Sequence, residues 1–355
     1  MHHWPLVVPV IAAALLALSF VVTAGAALVA ACAIALMGAA ISAVHHAEVI
    51  AHRVGEPFGT LVLALAVTVI ELALIVSMML AGGPGTAALA RDTIFATLMI
   101  VCNGVVGLCL MVGALRHHEQ VFRIEGANTA LAALIAMATL TLVLPSFTTS
   151  SYGPTYTTSQ LAFAATMSLV LWAAFVFVQT VRHRDYFLPA ADAANVDTHA
   201  PPPSVAAAWG SVALLLVALV SVVGLAKVLS PSIEAGLAAA GAPKAVLGIA
   251  IAMLVLLPET VAAVLAARAN RLQTSMNLAY GSALASIGLT IPAVAAASVW
   301  LGLPLVLGAG AKELVLLILT FVVSVITLAS GRTHMMQGVV HLVIFAAFLF
   351  LALVP

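Results

Sequence analysis

Uninterrupted apolar segments, each long enough to cross a lipid bilayer, follow one another along most of the chain. A spanning helix needs about 20 apolar residues, and inside the bilayer its backbone must satisfy its own hydrogen bonds. Only 7% of the residues are charged and the mean hydropathy is +1.24, so the chain cannot cover itself with polar surface. The sequence therefore predicts an all-α polytopic membrane protein with about 11 transmembrane helices.

Eleven apolar segments are candidates for these spans. In chain order they lie at roughly residues 5–23, 25–44, 58–81, 93–115, 127–146, 159–180, 208–229, 244–268, 277–300, 303–330 and 336–354. A polar stretch separates the sixth segment from the seventh, and Pro201, Pro202 and Pro203 exclude a helix there. Residues 182–207 are therefore predicted to be a Pro-rich linker between two blocks of helices.

Basic residues are distributed unevenly between the two sets of connecting loops. Eight lie in the loops of one side, namely Arg53, Arg116, Arg123, Arg182, Arg184, Arg268, Arg271 and Arg332. Three lie in the loops of the other side, namely Arg91, Lys227 and Lys244. Because cytoplasmic loops carry the excess of Lys and Arg, the N-terminus and the linker are predicted to be cytoplasmic and the C-terminus outside.

Two carboxylates lie near the centres of apolar segments. Glu71 stands in "AVTVIELALIVSMML" and Glu259 in "AMLVLLPETVAAVLAA". A carboxylate in hydrocarbon is costly, so it must be protonated, paired or exposed to a wet cavity. A purely structural role as a protonated hydrogen-bonding group is the alternative to a functional one. Glu313, beside Lys312 near one end of a segment, is instead expected to form a local ion pair.

The two acids occupy matching positions in the predicted topology. Residues 1–24 form a leading helix, and residues 25–181 and 208–355 then form two repeats of five helices, each with its acid in the second helix. Because five is an odd number, the second repeat crosses the membrane in the opposite direction. Transporters with such inverted repeats bind their substrates between the repeats near the bilayer midplane.

Polar groups accompany each acid. Thr68 shares a helix face with Glu71, and Pro258 frees a backbone carbonyl beside Glu259. Hydroxyls recur every four residues after Glu259, with glycines that permit close helix packing, although ordinary packing of small residues gives the same pattern. Carboxylate, hydroxyl, amide and carbonyl oxygens suit Ca²⁺ or Na⁺ rather than zinc or copper. The hydroxyl stripe is Ser282, Ser286 and Thr290, and the glycines are Gly281 and Gly288. The residues predicted to bind the cation and the proton are Glu71 and Glu259, which ligate the metal ion, together with Thr68, Asn103, Pro258, Ser282 and Ser286.

Two long motifs resemble the α-repeats of the cation/proton exchangers, within the Ca²⁺:cation antiporter superfamily. They are "GEPFGTLVLALAVTVIE" (Gly55–Glu71) and "LPETVAAVLAARANRLQTSMNLAYGSALASIGLTIP" (Leu257–Pro292). "RHHEQ" (Arg116–Gln120) and "VQTVRHRDYFLP" (Val178–Pro189) resemble the ChaA-type sodium-potassium/calcium–proton antiporters. The resemblance implies an eleven-helix fold, alternating access, and two central glutamates that bind a cation or a proton and match Glu71 and Glu259.

The resemblance further implies a secondary antiporter of the bacterial inner membrane that exports Ca²⁺, Na⁺ or K⁺ in exchange for H⁺. Typical calcium/proton exchangers carry Gly-Asn-x-x-Glu in both repeats, whereas Thr68 and Leu256 stand three residues before the acids here. Two amide oxygens are therefore missing. A cation channel and a calcium-selective exchanger of the same fold are the alternatives, and inverted halves around a proline-broken helix favour alternating access over a channel.

No enzymatic activity and no cofactor are expected, because the eleven histidines form no HExxH-like spacing. Small inorganic cations and the lipid bilayer are the expected partners. The formal net charge of zero provides no basic patch for nucleic acid. The sequence leaves the oligomeric state open.

The histidines are predicted to lie on the cytoplasmic side or at its helix ends, and several stand beside acids. Histidine changes charge near pH 6.5, at about neutral pH. A pH switch at the cytoplasmic entrance is therefore one interpretation, and solvated loop residues are the other. The candidate pH-sensing residues are His45, His46, His52, His117, His118 and His183.

Overall fold

The computed structural model of the chain is almost entirely helical. It describes residues 4–22, 25–54, 58–82, 85–188, 203–239, 241, 243 and 245–354, so Pro201, Pro202 and most of the predicted linker lie outside the described residues. The helices pack into two units, one formed by Met1–Thr86 with His199–Lys244 and the other by Ala87–Thr198 with Ala245–Pro355. Each unit takes helices from both predicted repeats, and the repeat boundaries remain a prediction.

The first unit is a bundle of four helices. Within it, α2 packs against the other three helices, and the fourth also contacts the first and the third. Gly224 allows one of these close crossings, because a Cβ built there would lie 2.4 Å from a methyl carbon of Leu16. The helices are α1 (Trp4–Ser19), α2 (Ala26–Val54), α3 (Phe58–Ala81) and α8 (Val205–Ala239).

The second unit contains the remaining helices and a short strand pair. Three of its helical passages contain wider π-helical turns, at Ile100–Val105, Thr139–Val143 and Val178–Arg182. The helices are α4 (Leu89–Met99), α5 (Val106–His117), α6 (Ile124–Ala138), α7 (Thr158–Phe177), α9 (Ala245–Arg268), α10 (Leu272–Leu301), α11 (Ala311–Ala329) and α12 (Met335–Leu353).

The strand pair fastens two connections of the second unit to each other. Strand β1 (Gln120–Val121) pairs antiparallel with β2 (Arg332–Thr333). The buried side chain of Gln120 then donates from Nε2 to the carbonyl of Ala267 at 2.9 Å and to Oδ1 of Asn270 at 3.0 Å. The loops that follow α5, α9 and α11 are thereby held together at one end of the unit.

The start of the predicted linker is part of the second unit rather than a free connection. Arg184–Phe187 forms a 3₁₀ turn. The ring of Phe187 is buried against Phe175, and its carbonyl accepts a hydrogen bond of 2.6 Å from Nδ2 of Asn277. The apolar ring and the carbonyl of Phe187 therefore anchor the chain up to that residue, and the linker bounds of 182–207 remain a prediction.

Most of the described helices are apolar and of spanning length, as predicted, but the number that meets both criteria is below the predicted eleven. Eight of the described helical passages are long and apolar enough to cross a membrane, one of them formed by α4 and α5 together, and α9 becomes a ninth when its two bent halves count as one span. Helix α1 and the part Leu65–Leu80 of α3 are shorter apolar stretches. The chain is therefore a multi-span helical membrane protein, and the count of eleven remains a prediction.

Several helix ends differ from the predicted span boundaries. Helix α2 continues to Val54, beyond the predicted end at residue 44, so His45 and His46 are helical. The tenth span begins at Ala311 rather than at residue 303, because Gly302 ends α10 in a left-handed conformation (φ 66°).

The predicted ion pair is confirmed in the first turn of α11, where Lys312 Nζ lies 3.7 Å from Glu313 Oε1.

Candidate functional site

Helix α3 holds Glu71 on its protein-facing side. Glu71 is 2% exposed and Thr68, one turn earlier, is 4% exposed. Leu65 and Leu80 on the opposite side are more than half exposed, as expected for a face that meets lipid. The buried face of an otherwise apolar helix therefore carries one carboxylate and one hydroxyl.

Glu259 lies at a bend of α9. The segments Ala245–Leu257 and Glu259–Arg268 are inclined at 54°, and Pro258 separates them. Proline has no amide hydrogen and is a usual cause of such a bend in a helix. Glu259 thus stands directly after the residue at which α9 bends.

Helix α10 carries the predicted hydroxyl stripe and packs against α9. Ser286 and Thr290 are buried, and Ser282 is partly buried. Gly288 permits close packing as predicted, because a Cβ there would lie 2.5 Å from Cβ of Trp172 in α7. Gly281 does not serve this purpose, because a Cβ built there meets no atom within 4 Å.

Asn103 lies fully buried in the π-helical turn Ile100–Val105. Its Nδ2 donates to Oγ1 of Thr320 at 2.9 Å, and its Oδ1 lies 3.1 Å from Nδ1 of His341. Turns of this kind occur frequently at functional sites, because they shift the helical register locally. Asn103 therefore has a special backbone environment and specific side-chain partners.

The second unit brings several predicted ligands onto neighbouring elements. The turn that carries Asn103 packs against both α9 and α10, and these two helices carry Glu259 and the hydroxyl stripe. Glu71 and Thr68 belong to the first unit. Joint binding of one ion by Glu71 and Glu259 therefore remains a prediction.

Two of the candidate pH-sensing histidines hydrogen-bond to backbone carbonyls. His46 is 2% exposed, donates from Nε2 to the carbonyl of Pro5 at 2.9 Å, and contacts Oγ of Ser211 at 3.2 Å through Nδ1. His117 donates from Nε2 to the carbonyl of Arg268 at 3.0 Å. Their rings join α1, α2 and α8 in one unit and α5 with α9 in the other.

The remaining four candidate histidines are partly or fully exposed. His52 and His118 are exposed, and His45 and His183 are partly exposed. His183 stacks on Tyr186 with ring centroids 4.7 Å apart, and His45 lies 5.6 Å from the ring of Trp4. A role in pH sensing remains a prediction for these four residues.

The structure adds His341, which sequence reasoning assigned to the cytoplasmic side or a helix end. The membrane side remains a prediction, and the structure places His341 within α12, fully buried. A signal was present in the sequence, since Thr320, Ser324 and Thr327 recur at helical spacing in an apolar segment and form a polar face for a partner. All three of these residues are buried.

Among the described residues, no three side chains of His, Cys, Asp or Glu lie close enough together to hold a metal ion. The candidate residues offer hydroxyl, amide and carboxylate oxygens. Such ligands are typical of sodium and calcium.

A multi-span helical fold, a buried acid on an apolar helix and a second acid at a proline bend define a polytopic membrane protein of the ion-transporting class. The chain belongs to the sodium/calcium exchanger protein family, which matches residues 24–181 and 210–354. Most of the chain, including both acids, lies within these matches.

Two named relatives resemble the chain along most of its length. It is 51% identical to y4hA of Sinorhizobium fredii (strain NBRC 101917 / NGR234), named as an ionic transporter, over 90% of this chain and 87% of the relative. It is 34% identical to the sodium-potassium/proton antiporter ChaA of Escherichia coli (strain K12), over 89% of this chain and 86% of the relative.

The fold is also that of a solved structure. The structure of native YfkE, a Ca²⁺/H⁺ antiporter protein, superposes with a TM-score of 0.73 over 99% of this chain and all of that chain, at 18% identity. The two chains therefore share a fold although their sequences are only distantly similar.

Proposed function

We propose that the chain is a secondary antiporter that exchanges Na⁺, K⁺ or Ca²⁺ for H⁺ across the bacterial inner membrane. The name of the relative ChaA, a sodium-potassium/proton antiporter at 34% identity, supports exchange of monovalent cations. The name of YfkE, which shares the fold, supports calcium as a further substrate. In the proposed orientation the N-terminus is cytoplasmic and the C-terminus is outside.

The observation that carries this proposal is a glutamate in each of two apolar helices. Glu71 is 2% exposed in α3, and Glu259 stands at the bend of α9. A carboxylate removed from water needs a proton, a cation or another partner to offset the loss of hydration. If a proton and a metal cation compete for the same carboxylates, the binding of one requires the release of the other.

Competition at a shared site couples the two fluxes without an enzymatic step or a cofactor. When the site faces outside, protons bind and displace the cation; when it faces the cytoplasm, the cation displaces the protons. The inward proton gradient then drives cation export by alternating access. Rearrangement of helices around a fixed site is the usual basis of such transport, and the bend at Pro258 offers a place where α9 can change shape.

The remaining ligands in this proposal are neutral oxygens. Thr68 supplies a hydroxyl near Glu71, and Pro258 would free a backbone carbonyl for the site of Glu259. Asn103 supplies an amide oxygen. Ser282 and Ser286 supply hydroxyls from α10, which packs against α9. Few amide oxygens and several hydroxyls favour weakly hydrated monovalent ions over strong calcium selectivity.

Everted membrane vesicles that contain the chain test the proposal directly. With an imposed proton gradient, addition of Na⁺, K⁺ or Ca²⁺ should release protons from the vesicles with saturation in the cation, whereas choline should not. Vesicles from cells without the chain provide the background. Proton release that is absent with all three cations would refute the antiporter proposal, and electrical cation current without proton movement would indicate a channel.

A further inference from the structure

A chain of four buried polar side chains crosses the second unit. Asn103 donates from Nδ2 to Thr320 Oγ1 at 2.9 Å, and its Oδ1 lies 3.1 Å from Nδ1 of His341. On the far side of the ring, Nε2 of His341 lies 3.0 Å from Oγ1 of Thr327. Thr320, Asn103 and His341 are fully buried and Thr327 is 2% exposed.

With the Asn103 amide oriented as in the structure, the donor and acceptor properties of these groups fit one arrangement. An amide oxygen only accepts hydrogen bonds, so Nδ1 of His341 must carry a proton to pair with Oδ1 of Asn103. In the neutral ring Nε2 is then an acceptor, and the hydroxyl of Thr327 donates to it. The amide of Asn103 is fixed from both sides, because Thr320 accepts from its nitrogen while His341 donates to its oxygen.

The fold brings His341 to Asn103 through a crossing of glycines. A Cβ built on Gly107 would lie 3.0 Å from Cβ of His341, and one built on Gly338 would lie 2.7 Å from the backbone nitrogen of Met111. Helix α12 therefore packs directly on the backbone of α5. Only residues without a side chain permit this approach, which seats the imidazole ring beside the π-helical turn.

We infer that His341 is a positioning residue for transport. Its ring holds the amide group of Asn103 in the orientation in which the amide oxygen, and not the amide nitrogen, faces His341. This inference rests on the proposed function, in which the oxygen of Asn103 is a cation ligand. An amide oxygen has two lone pairs, so it can accept from His341 and still bind a cation with the second. A rotated amide presents an NH₂ group, which repels a cation.

Side chains that mimic one ring nitrogen at a time test the inference. Asparagine places its amide nitrogen near the position of Nδ1, and glutamine places its amide nitrogen near that of Nε2. His341→Asn should therefore keep the donor to Asn103 and a half-saturating cation concentration within about twofold of wild type. His341→Gln should lose this donor and raise that concentration roughly three- to tenfold, the range expected for one neutral hydrogen bond.

A matched control and a second variant separate positioning from simple damage to the fold. Ser324 lies on the same buried face of α11 as Thr320 and Thr327, and none of the hydrogen bonds that hold Asn103 and His341 involves it. Ser324→Ala should therefore leave the half-saturating concentration unchanged. Thr320→Val removes the acceptor on the other side of the Asn103 amide. This variant should raise the half-saturating cation concentration as His341→Gln does, at a similar maximal rate.

The full chain reconstituted in proteoliposomes provides the measurement, with Na⁺, K⁺ and Ca²⁺ as probes. In the Asn103→Ala background, His341→Gln should have no further effect on the half-saturating concentration, because its target is gone. Equal values for His341→Asn and His341→Gln, or additive effects with Asn103→Ala, would overturn the positioning role while leaving antiport intact. A wild-type chain that moves none of these cations would overturn both proposals.

Discussion

Replacement of Gly338 by alanine should disturb both the packing of α12 and the hydrogen bond made by His341. A Cβ at Gly338 would lie 2.7 Å from the backbone nitrogen of Met111, 2.9 Å from the carbonyl oxygen of Gly107 and 3.1 Å from Cα of Met111. All three atoms belong to the backbone of α5 and cannot turn aside as a flexible side chain would. Relief of these contacts requires the two helices to separate by about half an ångström or more, because interiors are already close-packed.

The expected cost of this separation is about 1–3 kcal/mol, the usual range for overpacking a close-packed interior. His341 follows Gly338 by three residues on the same helix face, so its 3.1 Å contact with Asn103 should lengthen past the roughly 3.2 Å limit of a good hydrogen bond. Gly338→Ala should therefore lower the thermal unfolding midpoint of the purified protein by at least about 2 °C. It should also raise the half-saturating cation concentration.

Gly281→Ala is the matched control for this experiment. It introduces the same methyl group into a helix, but no atom lies within 4 Å of the new Cβ. Alanine is favoured over glycine within helices by about 1 kcal/mol, so this variant should unfold at an equal or higher temperature. Midpoints that fall equally in both variants, or a Gly338→Ala protein as stable as wild type, would refute the packing argument.

Two further predictions concern ion choice and pH. Thr68→Asn together with Leu256→Asn adds amide oxygens one turn before each acid and should shift transport toward Ca²⁺ over Na⁺; an unchanged ion ranking would show that selectivity lies elsewhere. If histidine protonation restrains the cytoplasmic entrance, activity should rise as cytoplasmic pH increases through about 6 to 8. The histidines to replace are those whose rings make no hydrogen bond among the described residues, namely His45, His52, His118 and His183. Their replacement by glutamine should flatten this rise, and a pH profile that superimposes on that of the wild type would exclude the role.

Hydropathy and proline placement predicted much of the fold because both act locally. The break before α2, the extent of α3 and the break of α9 at Pro258 follow from residues that are neighbours in the sequence. The close approach at Gly288 and the ion pair of Lys312 with Glu313 were also predicted from short-range patterns. Each of these features needs no knowledge of the distant parts of the chain.

Features that depend on distant partners escaped prediction. Residues 303–310 are apolar but not helical, and their backbone amides instead donate to distant parts of the second unit, as from Val306 to Ala87 at 2.9 Å and from Ala309 to Leu142 at 2.8 Å. Hydropathy cannot distinguish such a protected extended segment from a helix, because both are apolar. The burial of His341 likewise arises only when Gly338 packs on α5.

The candidate site was only partly accessible from sequence for the same reason. Glu71 and Glu259 are recognisable because an acid in an apolar segment is costly wherever the helix packs. The π-helical turn at Asn103 has no sequence signature of its own, and the partners Thr320 and His341 lie more than 200 positions further along the chain. Their contribution became visible only in the packed second unit.

Neutral replacement of the two acids tests the central claim most directly. Glu71→Gln and Glu259→Gln preserve side-chain size and remove the charge, whereas Glu313→Gln makes the same change at a partly exposed ion pair at the end of α11. In proteoliposomes with an imposed proton gradient, the first two variants should each lose cation-dependent proton movement, and Glu313→Gln should retain it. Wild-type rates of exchange in either Glu71→Gln or Glu259→Gln would contradict a shared cation and proton site at these residues.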